Sequence, residues 1–158
     1  MKTVIFDMDG VIFDTERIYA LAWDYAGEKA GLGKAGFMNL RTLGMSVDRS
    51  REEWVREFGE RYDEATVRFY AIEFVRDYLA RNGIPEKKGL RPLLEFLRGS
   101  GWKIGLASSS PSSQVERNLA LAGIREYFDA VICGDMVLHS KPEPDIYIKA
   151  CELLNEKP

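Results

Sequence analysis

Three short apolar runs limit what this chain can become: "TVIF" at 3–6, "WKIGLA" at 102–107 and "FDAVIC" at 128–133. Each is continuous rather than alternating. That is the pattern of a strand covered on both faces, as in a parallel sheet. The helical pattern "LRPLLEFLRGSG" leads into the second run, "SSSPSSQVERNLALAG" gives a loop and helix after it, and "DIYIKACELL" is a helix after the third. Strands alternating with helices imply βαβ units.

The first run is cut off from the other two by residues with no strand-like pattern. "TERIYALAWDYAGEKAG" carries Ile18, Leu21, Ala22, Tyr25 and Ala26 at helical spacing, with Asp14 or Thr15 as cap and Gly31 as stop. "MNLRTLG" is a short helix ending near Gly44, and "VDRSREEWVREFGERY" and "DEATVRFYAIEFVRDYLARNG" are two longer amphipathic ones. Pro85 to Gly89 is a polar hinge. The expected fold class is therefore α/β: a Rossmann-like parallel core of residues 1–13 and 85–158, interrupted by a helical domain over 14–84. A chain of 158 residues suits one such domain with an insert.

Hydrophobic residues make up 46% of the chain, enough for a core, and the net charge is −3. No basic field exists to attract nucleic acid. No apolar run approaches membrane-spanning length, and no leader is visible, so the expectation is a cytoplasmic protein. Cys133 lies in an apolar run and Cys151 in a helical pattern, so both read as reduced core residues.

In open α/β sheets ligands bind beyond the C-terminal ends of the strands. The first strand ends in Asp7-Met8-Asp9-Gly10. The second ends in Ser108-Ser109-Ser110, and the third is followed by Gly134-Asp135 and then Ser140-Lys141-Pro142. Two carboxylates, a hydroxyl before a helix and an ammonium suit phosphoryl transfer, where positioning and charge neutralisation supply most of the catalysis. A carboxylate at a strand end can attack phosphorus. A second one two residues on can protonate the leaving oxygen and later activate water. Ser108 and the backbone amides before the helix at 112–122 can hold phosphate oxygens, with Ser109 and Gly10 as further phosphate-binding candidates. Lys141 can offset negative charge. Asp7 cannot approach a phosphate dianion without a cation, which implies Mg²⁺ held by carboxylate, carbonyl, phosphate and water.

In their order and spacing, Asp7-Met8-Asp9-Gly10-Val11, Leu106-Ala107-Ser108-Ser109-Ser110 and Ser140-Lys141-Pro142-Glu143-Pro144-Asp145 resemble the three leading motifs of the haloacid dehalogenase superfamily. The likeness is to the subgroup of β-phosphoglucomutase and small sugar-phosphate phosphatases, and it covers nearly the whole chain. It implies Asp7 as nucleophile, Asp9 as acid/base, Ser108 and Lys141 as phosphate and transition-state contacts, and the Asp9 backbone carbonyl with Asp7 as Mg²⁺ ligands. The helical insert would be that family's cap domain. The family's fourth motif, an acidic pair that completes the metal site, does not occur before Pro158. The chain therefore reads as truncated, with the strand at 3–6 left as a sheet edge.

The implied function is a Mg²⁺-dependent phosphatase acting on a small phosphorylated metabolite. A mutase of the β-phosphoglucomutase kind is the alternative. That enzyme carries a histidine where this sequence has Tyr19, which favours the phosphatase. A receiver-like signalling domain also combines Asp, Ser and Lys but has no large helical insert. Arg17, Tyr19, Arg41 and Arg49 are the candidates for selecting a substrate; the arginines read equally as solvated surface charges. The single histidine, His139, reads as exposed loop, and Asp14 and Asp145 as residues that orient loops or cap helices.

Overall fold

A computed structural model describes residues 2–43, 45, 47–139 and 141–157, apart from the Val47 side chain. Gly44, Ser140 and Pro158, which entered the expectations above, lie outside them. The chain divides into two compact units, residues 1–14 with 84–158 and residues 15–83.

The first unit is built on a parallel sheet of β1 (Thr3–Phe6), β2 (Lys103–Ser108) and β3 (Ala130–Cys133), in that spatial order. Thr3 faces Lys103, Phe6 faces Leu106, and Ser108 faces Cys133. Between the strands run α5 (Leu90–Gly99) and α6 (Ser112–Ala122), and α7 (Asp145–Leu153) follows β3. Two right-handed crossovers in one direction put α5 and α6 on the same face of the sheet. The other face belongs to α7: Ile146, Ala150 and Leu154 pack on Ala107, Ala130 and Ile132.

β2 and β3 are almost wholly buried, as their continuous apolar runs predict. β1 departs from that expectation. All four of its residues are only half-buried, because β1 stands at one edge of the described sheet with a single neighbour.

The second unit, taken by itself, is helical: α1 (Thr15–Lys29), α2 (Phe37–Thr42), α3 (Val47–Phe58) and α4 (Glu64–Asn82). Small residues Ala22, Ala26 and Ala71 join Met38, Trp54, Phe58 and Val67 in its core. Trp54 meets Trp23 edge-on at 5.2 Å and stacks on Tyr62 at 5.2 Å. The expected helix over 47–62 is shorter: Gly59, at φ 59°, ends α3 and starts a 3₁₀ turn, Gly59–Arg61. Of the apolar residues assigned to α1, Ile18, Ala22 and Ala26 are buried, but Leu21 is 40% exposed. Asp63 caps α4, accepting from the Ala65 amide at 3.2 Å.

Where the chain leaves and re-enters the first unit, the two crossings run side by side. The Asp14 amide donates to Pro85 O at 2.8 Å, and the Lys87 amide to Ile12 O at 2.8 Å. Lys87 Nζ also donates to Asp14 Oδ1 at 2.7 Å. Asp14, expected to orient a loop, is held by this ion pair.

Candidate active site

The loop after β1 is wound around one carbonyl. Met8 O accepts from the amides of Ile12 at 2.9 Å and Phe13 at 3.1 Å, and the Gly10 amide donates to Phe13 O at 2.9 Å. Gly10 sits at φ 75°, a conformation that glycine adopts without penalty. Met8, Ile12 and Phe13 are fully buried. This tight apolar anchor carries Asp7 on one flank of Met8 and Asp9 on the other.

The loop after β3 brings Lys141 to the same place. Its Nζ donates to Asp7 Oδ1 at 2.7 Å and to Ala107 O at 2.9 Å, so one ammonium ties the ends of β1 and β2 together. It lies 5.2 Å from the centre of the Tyr147 ring, a favourable cation–π position. Charge-assisted bonds of this kind are the strong ones.

The third contribution is the loop after β2. Ser108 is fully buried, and its Oγ accepts from the Ser110 amide at 3.2 Å. Ser110 Oγ donates to Asp9 Oδ2 at 3.2 Å and accepts from Gln114 Nε2 at 3.4 Å. The Gly134 amide donates to Ser110 O at 3.0 Å. Asp135 closes the arrangement at the first residue of α6. Its carboxylate accepts from the Ser112 amide at 3.1 Å to each oxygen, and from Ser112 Oγ at 2.5 Å. Those bonds from Ser112 hold the Asp135 carboxyl below its ordinary range. Beneath it, burial pushes the Cys133 thiol up, and both cysteines are free.

Lys141 thus binds Asp7 directly, and Ser110 links Asp9 to Ser108. Ser109 and Gly10 belong to the same loops, whereas Ser140 lies outside the described residues. Arg17, Tyr19, Arg41 and Arg49 are in the helical unit. There Arg41 binds Glu57 and lies 5.4 Å over the Phe37 ring. Arg17 is exposed on the first turn of α1. His139 is exposed, with Nδ1 2.9 Å from Asp145 Oδ2 at the start of α7. Sequence reasoning placed Ser110, Gly134 and Asp135 at the strand ends without giving them a part, and it missed Gln114. The only available signals were a third serine in a run and a Gly-Asp turn after a strand.

Among the described residues no three His, Cys, Asp or Glu side chains form a ready metal cage. The loop after β1 offers hard oxygen from the Asp7 side chain and the Asp9 backbone. Such a set fits Mg²⁺, which takes one or two carboxylates and keeps water and substrate phosphate as its other ligands. Among the described residues no helix is long and apolar enough to cross a membrane.

The family model of haloacid dehalogenase-like hydrolases matches residues 1–158. A phosphorylated carbohydrates phosphatase of Thermotoga maritima is 31% identical over 158 residues, covering 100% of this chain and 73% of that protein. The beta-phosphoglucomutase of Bacillus subtilis is 35% identical over 166 residues, covering 100% of this chain and 72% of that protein. A Thermotoga maritima crystal structure whose description names beta-phosphoglucomutase superposes with a TM-score of 0.81 at 29% identity, covering 100% of this chain and 73% of that one.

Proposed function

Since the chain belongs to the haloacid dehalogenase-like hydrolases, we propose that it hydrolyses a small phosphorylated metabolite of the sugar-phosphate kind through an aspartyl-phosphate intermediate. The observation that carries this reading is the 2.7 Å bond from Lys141 to Asp7 at the strand ends, beside the buried Ser108. In the first step an Asp7 oxygen attacks phosphorus, the ester P–O bond breaks, and the leaving oxygen takes a proton from Asp9. In the second, Asp9 takes a proton from water, the water oxygen attacks phosphorus, and the Asp7 carboxylate is released with inorganic phosphate. Lys141 neutralises charge on Asp7 and on the transferred group. Ser108, with the amides leading into α6, holds the phosphoryl oxygens. Magnesium bound by Asp7 and the Asp9 carbonyl would supply charge neutralisation between nucleophile and phosphate. Arg17, Tyr19, Arg41 and Arg49 of the helical unit are assigned to substrate selection.

The test is Asp7→Asn, which keeps the shape of the side chain and removes its nucleophilic oxygen anion. Turnover of p-nitrophenyl phosphate should vanish, and persistence of wild-type rates would overturn the assignment. The 35% identity to a beta-phosphoglucomutase supports a second reading, a sugar-phosphate mutase. Supplied with a hexose 1-phosphate, a phosphatase releases inorganic phosphate, whereas a mutase accumulates the isomerised ester. Family membership leaves no place for the receiver-like alternative.

A further inference from the structure

We propose that Tyr147 is a positioning residue for Lys141, its ring face holding the ammonium against Asp7 without competing for the ammonium's hydrogen bonds. The inference rests on the phosphatase reading above. It assigns a role to a residue that supplies neither the nucleophile, the phosphate grip nor the neutralising charge.

A lysine ammonium is a compact charge on a flexible four-carbon stem, so its place has to be imposed by its surroundings. Lys141 Nζ donates to Asp7 Oδ1 at 2.7 Å and to Ala107 O at 2.9 Å, both on the sheet side. The centre of the Tyr147 ring lies 5.2 Å from the same nitrogen, on α7. Tyr147 is itself secured. Its amide donates to Pro144 O at 2.9 Å. Its neighbour Ile146 is buried with Ala150 and Leu154 against Ala107, Ala130 and Ile132. The start of α7 is also joined to the residues that precede Lys141. His139 Nδ1 lies 2.9 Å from Asp145 Oδ2, and Lys149 Nζ donates to Met136 O at 2.6 Å. Ring and ammonium are therefore held in one frame.

An aromatic face attracts a cation through its quadrupole. It is a much weaker hydrogen-bond acceptor than water or a carboxylate. A water or an acid in the place of the ring would draw an N–H bond toward itself and away from Asp7. The ring holds the charge and leaves those bonds aimed at the strand ends. The ammonium is then already in place when negative charge builds on the transferring group, and no reorganisation is needed at that moment. A side chain that merely covered the start of α7 would need only apolar bulk, and leucine would serve as well as tyrosine. For holding a cation, phenylalanine serves and leucine does not.

The test measures kcat and KM for p-nitrophenyl phosphate. Both residues are partly exposed, so Tyr147→Leu should lower kcat by about two- to thirtyfold, the range of a cation–π contact, with a smaller change in KM. Tyr147→Phe should stay near the wild-type rate. In a Lys141→Met background Tyr147→Leu should cost nothing further, because the ring acts through the ammonium. Wild-type kcat in Tyr147→Leu, an equal loss in Tyr147→Phe, or the same loss with Lys141 already replaced would each overturn the proposal and leave the phosphatase reading standing. Wild-type inactivity on every phosphate ester tried would overturn that reading and this one with it. Should Tyr147→Leu fail to fold by urea titration, 4-cyanophenylalanine at this position takes its place with the same expected pattern, since it keeps the ring and withdraws its electron density.

Discussion

Lys141 places its ammonium 2.7 Å from Asp7 Oδ1, although 134 positions of chain separate the two residues. Replacing Lys141 by Met keeps the stem and removes the charge. The expected loss is about 10²–10³ in kcat, the usual result of deleting one group that stabilises charge in the transition state. The assay is p-nitrophenyl phosphate hydrolysis. Unfolding in urea should shift little, because the pair is partly open to solvent. A large stability loss with unchanged kcat would mark the contact as structural.

Asp135 holds the first residue of α6 through Ser112. Asp135→Ala should raise KM for a phosphate ester more than it lowers kcat, because the loop proposed to grip phosphate loses its tether. Stability should follow pH with a definite sign. The carboxyl is depressed in the folded state by its bonds from Ser112. Its stabilisation is therefore complete above the ordinary aspartate range and disappears as pH falls through the depressed folded value. Urea titrations of wild type and variant should diverge near neutrality and converge in acid. A difference that persists undiminished in acid would count against the carboxylate.

Gly134 has no room for a side chain: an added Cβ would stand 2.2 Å from Ser109 O, a backbone atom. Gly134→Ala should force the two loops apart at a cost of about 1–3 kcal/mol, as overpacking does. Phosphate affinity, read by calorimetry, should fall in the same variant. Unaltered stability would show that the turn yields freely.

Trp54 is 3% exposed and touches Trp23, Phe58 and Tyr62 in the helical unit. Trp54→Ala should cost about 3–5 kcal/mol, measured as a fall in helical circular dichroism at lower urea. A small shift would mean that the neighbouring rings close the void.

The sequence was most legible where one physical demand governs a whole segment. Continuous apolar runs announced β2 and β3, and the shift to helical spacing announced α1, α4 and α7. Boundaries moved by a residue or more where a local device decides them, such as Gly59 at the end of α3. For β1 two readings pulled apart: its apolar run spoke for cover on both faces, whereas the absent fourth motif left it a sheet edge, and its half-buried residues follow the edge reading. At the site, Asp7, Asp9, Ser108 and Lys141 could be named from their places after strands. Ser110, Gly134 and Asp135 could be placed there but given no part, and Gln114 was not placed at all, because their parts depend on which loops meet. In one dimension Ser110 looks like the two serines before it, and Asp135 looks like any turn acid.

The paired crossings at 12–14 and 85–87 have a consequence for how such chains diversify. Their hydrogen bonds hold exit and re-entry about one strand spacing apart, roughly 5 Å, with the Lys87–Asp14 ion pair as a clasp. To the first unit, whatever lies between is a loop whose ends are already closed, and closure cost rises only slowly with loop length. The junction is thus a socket for exchangeable inserts. A chimera with residues 15–83 replaced by a short glycine-rich turn should keep slow amide exchange at Asp14 and Lys87. Rapid exchange at both would show that the present insert itself maintains the clasp.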